Sequence, residues 1–356
     1  MHSLREAPTL SICIPTYNRS ALLAETLASI ESQWCEGLEV TVADNGSEDD
    51  TEQLIEQFRG RVGAVRYFRW DSNHGPDRNF LKAVEIATGR WCWILGSDDP
   101  LMPGAVAEVL RRLKAEKPNL LLFNRMLCER DLTLIGEDHF FEPRGGDALR
   151  FDFSEDGEFA RYLRAGRSLA VAFSYLSSIV FERQIWDATP GDDPWIGSSY
   201  VHVYKLLSAC RRGATLTYID QALVKCRLGN DSFRAQGLAA RVLIDLRGFA
   251  KLSAVVFDDS DRASQHALRG LLRLEYPWSR VMRYQGVLGR DAAWPEILSL
   301  LDSNIGYPIG ALALARVFGR SRRIVDWSFR RRDARLRTAA VRRTPVTAHP
   351  PLSEAE

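Results

Sequence analysis

Short apolar runs alternate with stretches of helical apolar spacing through the first third of the chain. Leu10 to Ile14 reads as a buried strand, closed by Pro15, which cannot donate to a central ladder. Leu23, Leu27, Ile30 and Trp34 then fall on one helical face. Leu38 to Ala43 predicts a second strand, stopped by the turn signal Asp44-Asn45-Gly46. Ser47-Glu48-Asp49-Asp50 has the form of a capping box before a helix carrying Leu54, Ile55 and Phe58. Val65–Phe68, Trp91–Leu95 and Asn119–Phe123 predict three further strands. Helices opening at Pro76-Asp77 and covering Gly104–Glu116 lie among them. Such alternation predicts an α/β fold, a mostly parallel sheet with helices on both faces. Ligands of such sheets bind outside the carboxyl ends of the strands.

Beyond Phe123 the periodicity blurs. Residues 124–167 read as a loop-rich connection, Leu176–Phe181 as a strand, Val201–Ala209 as a helix, and Ala214–Cys226 as a strand or hairpin. From residue 234 the spacing is helical, including Leu238–Leu252 and Ala263–Tyr276. The expected division is a nucleotide-binding domain over 1–230, a helical region over 231–343 and a disordered tail over 344–356, where Pro345, Pro350 and Pro351 gather.

The 47 basic and 46 acidic residues nearly cancel, which argues against a nucleic-acid-binding protein. The six cysteines show no zinc-like or C-x-x-C spacing and read as reduced core residues of a cytosolic protein. Neither a signal peptide nor a run of membrane-spanning length is evident, so the expected location is the cytoplasm, or the inner face of the cytoplasmic membrane.

Three polar clusters follow successive strands: Pro15-Thr16-Tyr17-Asn18-Arg19, Asp44-Asn45-Gly46-Ser47 and Ser97-Asp98-Asp99. Together they outline a site for a ligand the size of a nucleotide. Adjacent carboxylates repel unless a cation or hydrogen bonds absorb the charge. Asp98-Asp99 therefore suggests Mg2+ or Mn2+, which take one or two protein carboxylates alongside phosphate oxygens. Asp44 has the chemistry to accept from a nucleobase N–H, Tyr17 to stack on the base and Arg19 to meet a phosphate. Each also has a plain reading as a turn or helix-start residue. Asn73-His74-Gly75-Pro76 and Asn79 lie beside the same edge, with His74 the weaker candidate.

The ordered set Ser11–Arg19, Val42–Ser47 with Thr51, Asn73-His74-Gly75 with Asn79, Gly89-Arg90-Trp91 and Leu95–Asp99 resembles the family 2 glycosyltransferases over residues 8–230. The resemblance implies a GT-A type, Rossmann-like fold, a nucleotide-sugar donor and a divalent metal, usually with inversion at the anomeric carbon. Carried over by position, Pro15, Tyr17 and Asp44 hold the nucleoside, Asp98 contacts the ribose region, Asp99 binds the metal and Asn79 supports the donor pocket. Arg227, in the stretch resembling the loop that closes over the donor, would steady the diphosphate; a surface arginine is the plain alternative.

The second half departs from the family pattern. The stretch Trp195–Lys205 lacks the acidic pair that usually supplies the catalytic base. His202 is the first substitute, followed by Asp193 or Asp192. His202 also has the chemistry of a metal ligand, and a structural histidine is the competing reading. Tyr200-Val201-His202-Val203 resembles the abequosyltransferase-like branch, whose members use a dideoxy sugar and act in O-antigen assembly. That resemblance implies a saccharide acceptor, and a lipid-linked one would be suited.

Eleven arginines crowd residues 316–343, after the apolar stretch Ile309–Phe318 and with Trp327 and Phe329 among them. Apolar residues beside many arginines fit a peripheral contact with an anionic membrane surface; a solvated helical face fits as well. Two other functions remain open from sequence. A nucleotidyltransferase shares paired aspartates, but Pro15–Arg19 lacks a Gly-rich phosphate loop. A non-catalytic nucleotide-sugar or glycan-binding protein would accommodate the missing acidic pair.

Overall fold

A computed structural model describes residues 8–143, 148–230, 236–257 and 261–307. The arginine-rich segment and the proline-bearing tail lie outside these residues. Among the described residues nine strands form one sheet in the order β3-β2-β1-β4-β8-β5-β9-β7, with β6 paired to β5. The first four are β1 (Leu10–Thr16), β2 (Leu38–Asp44), β3 (Val65–Arg69) and β4 (Trp91–Ile94). They are parallel, as the alternation with α1 (Ser20–Glu31), α2 (Thr51–Val62) and α3 (Pro76–Glu85) requires. The helix α4 (Ala105–Glu116) leads to β5 (Leu120–Cys128).

Pro15 does not close β1. The strand continues to Thr16, paired through Pro15 with Ala43. Thr9 and Cys13 accept from Trp91 and Leu95 of the β4 side, so Pro15 also turns its nitrogen toward β4. Pairing there ends at Cys13, and no ladder bond is lost. The expected capping box is likewise absent. Ser47 Oγ accepts from Asn18 N at 2.9 Å, and Asp49, not Ser47, accepts from Thr51 N at 3.2 Å.

About half of the region expected to be loop-rich is strand or helix. It holds the outer half of β5, β6 (Leu134–Asp138), β7 (Leu149–Asp152) and α5 (Glu158–Ala165). The strand β8 (Ile179–Glu182) inserts antiparallel between β4 and β5, and α6 (Arg183–Asp187) follows it. Next come α7 (Val201–Arg211) and the single long strand β9 (Thr215–Arg227), which runs parallel to β5.

Successive residues of β5 face opposite cores. Leu121 and Phe123 join Leu23, Ile55 and Val109 on one side. Leu120 and Leu122 join Ala83, Val84 and Leu206 on the other. The second core continues without a break into α8 (Gly237–Val255), α9 (Arg262–Glu275), α10 (Trp278–Leu288) and α11 (Trp294–Ile305). Contact there is close: a Cβ on Gly248 of α8 would stand 2.7 Å from the Tyr200 ring. Among the described residues no helix is long and apolar enough to cross a membrane.

Candidate functional site

The polar clusters after β1, β2 and β4 meet at one edge of the sheet. Backbone and side chain lock the first two together: Ser20 N donates to Asp49 Oδ2 at 2.8 Å, and Glu48 N to Asn18 Oδ1 at 2.8 Å. Asn18 adopts a left-handed backbone (φ 49°), which its short polar side chain tolerates. Gly46 (φ +79°) has a stricter reason to be glycine, since a Cβ there would lie 2.9 Å from the Ser72 carbonyl carbon. Asn45 completes the joint, donating to Asn73 Oδ1 at 2.8 Å and accepting from His74 N at 2.9 Å. His74 itself sits at the surface against Asp71, 2.9 Å away.

Asp44 is fully buried, accepting from Ser47 N at 2.8 Å and from the Tyr67 hydroxyl at 2.7 Å. Tyr17 projects from the same edge, 40% exposed, as a ring free to stack would be. Asn79 reaches from α3 to the ends of two strands. Its Nδ2 donates to Thr16 O at 3.2 Å and to Ala43 O at 2.8 Å, both buried.

Asp98 and Asp99 differ sharply in surroundings. Asp98 is compensated: Arg19 Nη1 lies 3.1 Å from its Oδ2 and Asn230 Nδ2 at 2.5 Å. Asp99 is 7% exposed and accepts from the neutral Ser177 hydroxyl at 2.6 Å, which in turn accepts from Gly96 N. Burial first, and then the charge of Asp98, pushes the Asp99 carboxyl up to about 7, against the opposing pull of Ser177, Tyr175 and Arg125. A buried carboxylate so poorly compensated is a fitting partner for a hard divalent cation.

Arg227 is nearly buried. Its Nε donates to Asp98 O at 3.2 Å, its Nη2 pairs with Glu25 at 2.5 Å and its Nη1 meets Arg130 O. The guanidinium thus clamps the backbone of the Asp98-Asp99 turn from behind.

The base candidates are less well placed. His202 is buried on α7 against Phe80, with ring centroids 5.6 Å apart, and neither ring nitrogen makes a hydrogen bond among the described residues. Burial lowers its pKa to about 4, against the opposing pull of the Phe173 backbone. Asp98, Asp99 and His202 do not gather their ligand atoms within 4.8 Å of one another, as three groups sharing an ion would. Asp192 is paired with Lys205 Nζ at 2.9 Å, and Asp193 is exposed in a short turn. Asp77, unremarked in the sequence except as a helix start, caps α7 from α3 by accepting from Ser199 N at 2.7 Å and Val201 N at 3.2 Å. Ser177, Tyr175 and Arg125 were also invisible as site residues, because the first two come from the short 3-10 turn before β8 and the third from β5, far from Asp99 in sequence.

Residues 11–176 match the model of the family described as glycosyl transferase family 2. Abequosyltransferase RfbV of Salmonella typhimurium is 38% identical over 273 residues, 76% of this chain and 81% of that protein. A GalNAc(5)-diNAcBac-PP-undecaprenol beta-1,3-glucosyltransferase of Campylobacter jejuni is 30% identical over 131 residues, 36% of this chain and 42% of that protein. Among solved structures, S. aureus TarS in complex with UDP-GlcNAc superposes with a TM-score of 0.62 at 14% identity, covering 94% of this chain and 92% of that one. Mannosyltransferase PcManGT from Pyrobaculum calidifontis in complex with GDP-Man and Mn2+ gives 0.53 at 17%, covering 94% and 87%. The fold is therefore of the GT-A type, and the chain belongs to glycosyltransferase family 2, in its abequosyltransferase-like branch.

Proposed function

We propose that this glycosyltransferase moves a hexosyl or deoxyhexosyl group from a nucleotide-sugar donor to a lipid-linked saccharide in surface polysaccharide or O-antigen assembly. A divalent cation, Mn2+ or Mg2+, would be held at Asp99. The observation that carries the reading is the pairing of Asp44 and Tyr17 at one end of the edge with Asp98 and the under-compensated Asp99 at the other.

In this reading the base stacks on Tyr17 and donates an N–H to Asp44, whose Tyr67 and Ser47 partners hold it in place. The Asn79 bonds fix the carbonyls of Thr16 and Ala43 and so the floor under the nucleoside. Arg19 and Asp98 form an ion pair where the ribose and phosphates would enter, while Arg227 keeps the Asp98-Asp99 turn from shifting. The cation, when bound, neutralises charge developing on the departing nucleoside diphosphate.

The transferred deoxy sugar draws on the name of the abequosyltransferase relative, and the lipid-linked acceptor on the PP-undecaprenol in the name of the Campylobacter one. Peripheral membrane contact through residues 316–343 would suit such an acceptor; their arginines carry this part of the reading. Sedimentation with anionic vesicles should be lost on truncation at Ala315.

The donor test is a thermal-shift screen of UDP-, GDP-, CDP- and dTDP-sugars, with Mn2+ or with chelator. A donor at a hundredfold its Kd stabilises by about 2.7 kcal/mol. One nucleotide class should shift the wild type only with metal. No shift from any of them, with any metal, would overturn the donor site.

A further inference from the structure

A second polar centre lies at the same sheet edge, assembled by an irregularity in the strands. β5 and β9 pair as Phe123 with Ile219 and then Asn124 with Ala222, so Asp220 and Gln221 are extra residues in β9. Bulges of this kind re-aim side chains beside active sites. Here the bulge brings Asp220 Oδ1 to 2.8 Å from His139 Nδ1. Asn124 Nδ2 stands 3.0 Å from the same Asp220 oxygen and 2.9 Å from Glu137 Oε1. The amide is fixed the other way round, since Asn124 Oδ1 accepts from Phe140 N at 3.1 Å and from the Tyr218 hydroxyl at 2.5 Å.

The strand register places this centre relative to the donor site. Trp93 of β4 and Leu121 of β5 both pair with Val180, so Asn124 stands level with Gly96, which leads into Ser97-Asp98-Asp99. Two interstrand spacings separate them, about 10 Å. Alternation along β5 turns Asn124 to the face that bears α3 and α7.

We propose that His139, oriented by Asp220, is the general base that deprotonates the acceptor hydroxyl. This rests on the transferase reading above and fills the role left open by the acid-free stretch Trp195–Lys205. With Nδ1–H donating to Asp220, the Nε2 lone pair is available, and the ring is partly exposed. Nε2 takes the hydroxyl proton as the acceptor oxygen bonds to the anomeric carbon. The bond from that carbon to the diphosphate oxygen breaks, and its electron pair leaves with the nucleoside diphosphate. Asp220 stabilises the imidazolium so formed, as does Glu137, whose Oε2 is 4.0 Å from Nε2.

A cation bridging Glu137, His139 and Asp220 is the competing occupant, since their ligand-type atoms lie within 4.8 Å of one another. The space between them is filled by the Asn124 amide nitrogen, 3.0 Å from His139 Nδ1 as well, which favours the oriented imidazole.

The test is carried out on the full chain with the donor from the screen. In His139→Gln, kcat should fall at least about a hundredfold, the low end for general-base loss. Donor KM and the donor-induced thermal shift should stay within threefold of wild type. In parallel, 15N NMR of the imidazoles should show His139 as the Nδ1–H tautomer in wild type, displaced in Asp220→Asn. Turnover of His139→Gln within threefold of wild type overturns the proposal. So does an Nε2–H tautomer in wild type, or a stoichiometric metal that His139→Gln loses. Wild type that binds no nucleotide sugar sinks the transferase reading instead, and the NMR arm still decides the imidazole.

Discussion

Replacing Asp99 by Asn should stabilise the metal-free protein, although it removes a residue of the proposed donor site. Asp99 is 7% exposed, and its strongest polar contact is a neutral hydroxyl. Burial, followed by the charge of Asp98, raises its pKa from 3.8 to about 7. Between those values the folded state binds the proton more tightly than the unfolded chain. Stability therefore falls as pH rises from about 4 to about 7 and stays low above it. A shift of that size is worth on the order of 4 kcal/mol. Asparagine keeps the shape and an acceptor oxygen for Ser177, and carries no charge. In chelator at pH 8, Asp99→Asn should exceed wild type by up to about 4 kcal/mol, several degrees in Tm. At pH 4 the difference should vanish, because both side chains are then neutral. Millimolar Mn2+ at pH 8 should narrow the gap by stabilising only the wild type. Denaturant unfolding at pH 4, 6 and 8 reads all three. Parallel pH profiles for the two proteins in chelator would refute the account of Asp99 as an under-compensated carboxylate.

Two further substitutions probe the frame of the site. Asn79→Ala removes the amide donor shared by the buried carbonyls of Ala43 and of Thr16, which keeps Asn45 N at 3.0 Å, and should cost about 1–2 kcal/mol in denaturant unfolding. A cost under about 0.5 kcal/mol would mean those carbonyls find other partners. Asp77→Ala uncaps α7 and should cost about 1–2 kcal/mol, with faster hydrogen exchange at Ser199 and Val201 as the local readout. Unchanged exchange there would show that the cap is idle.

The first half of the chain was legible because its elements obey one periodicity each. Buried parallel strands such as Trp91–Ile94 read as continuous apolar runs, and their polar ends fall where a doubly wound sheet binds ligands. Legibility stopped where polar residues entered strands. Asn124 and Arg125 break the apolar run of β5, yet the strand continues to Cys128, since Glu137 and Asp138 of β6 supply their partners. No spacing rule announces a partner thirteen residues away across a hairpin. The surroundings of His202 were equally hidden, since its packing against Phe80 and Tyr200 depends on contacts that no local spacing announces. Arg227 was expected to face phosphate, and its carbonyl partners become visible only once β9 folds back beside the Asp98-Asp99 turn.

Transfer itself is the most direct test of the central claim. Full-length protein would be incubated with the labelled nucleotide sugar chosen by the screen, Mn2+ and a lipid-linked saccharide acceptor, and label in the lipid phase counted over time. The account predicts transfer by the wild type that stops in chelator and falls by at least about a hundredfold in Asp99→Asn. Equal transfer by wild type and Asp99→Asn, or transfer undiminished by chelator, would contradict it.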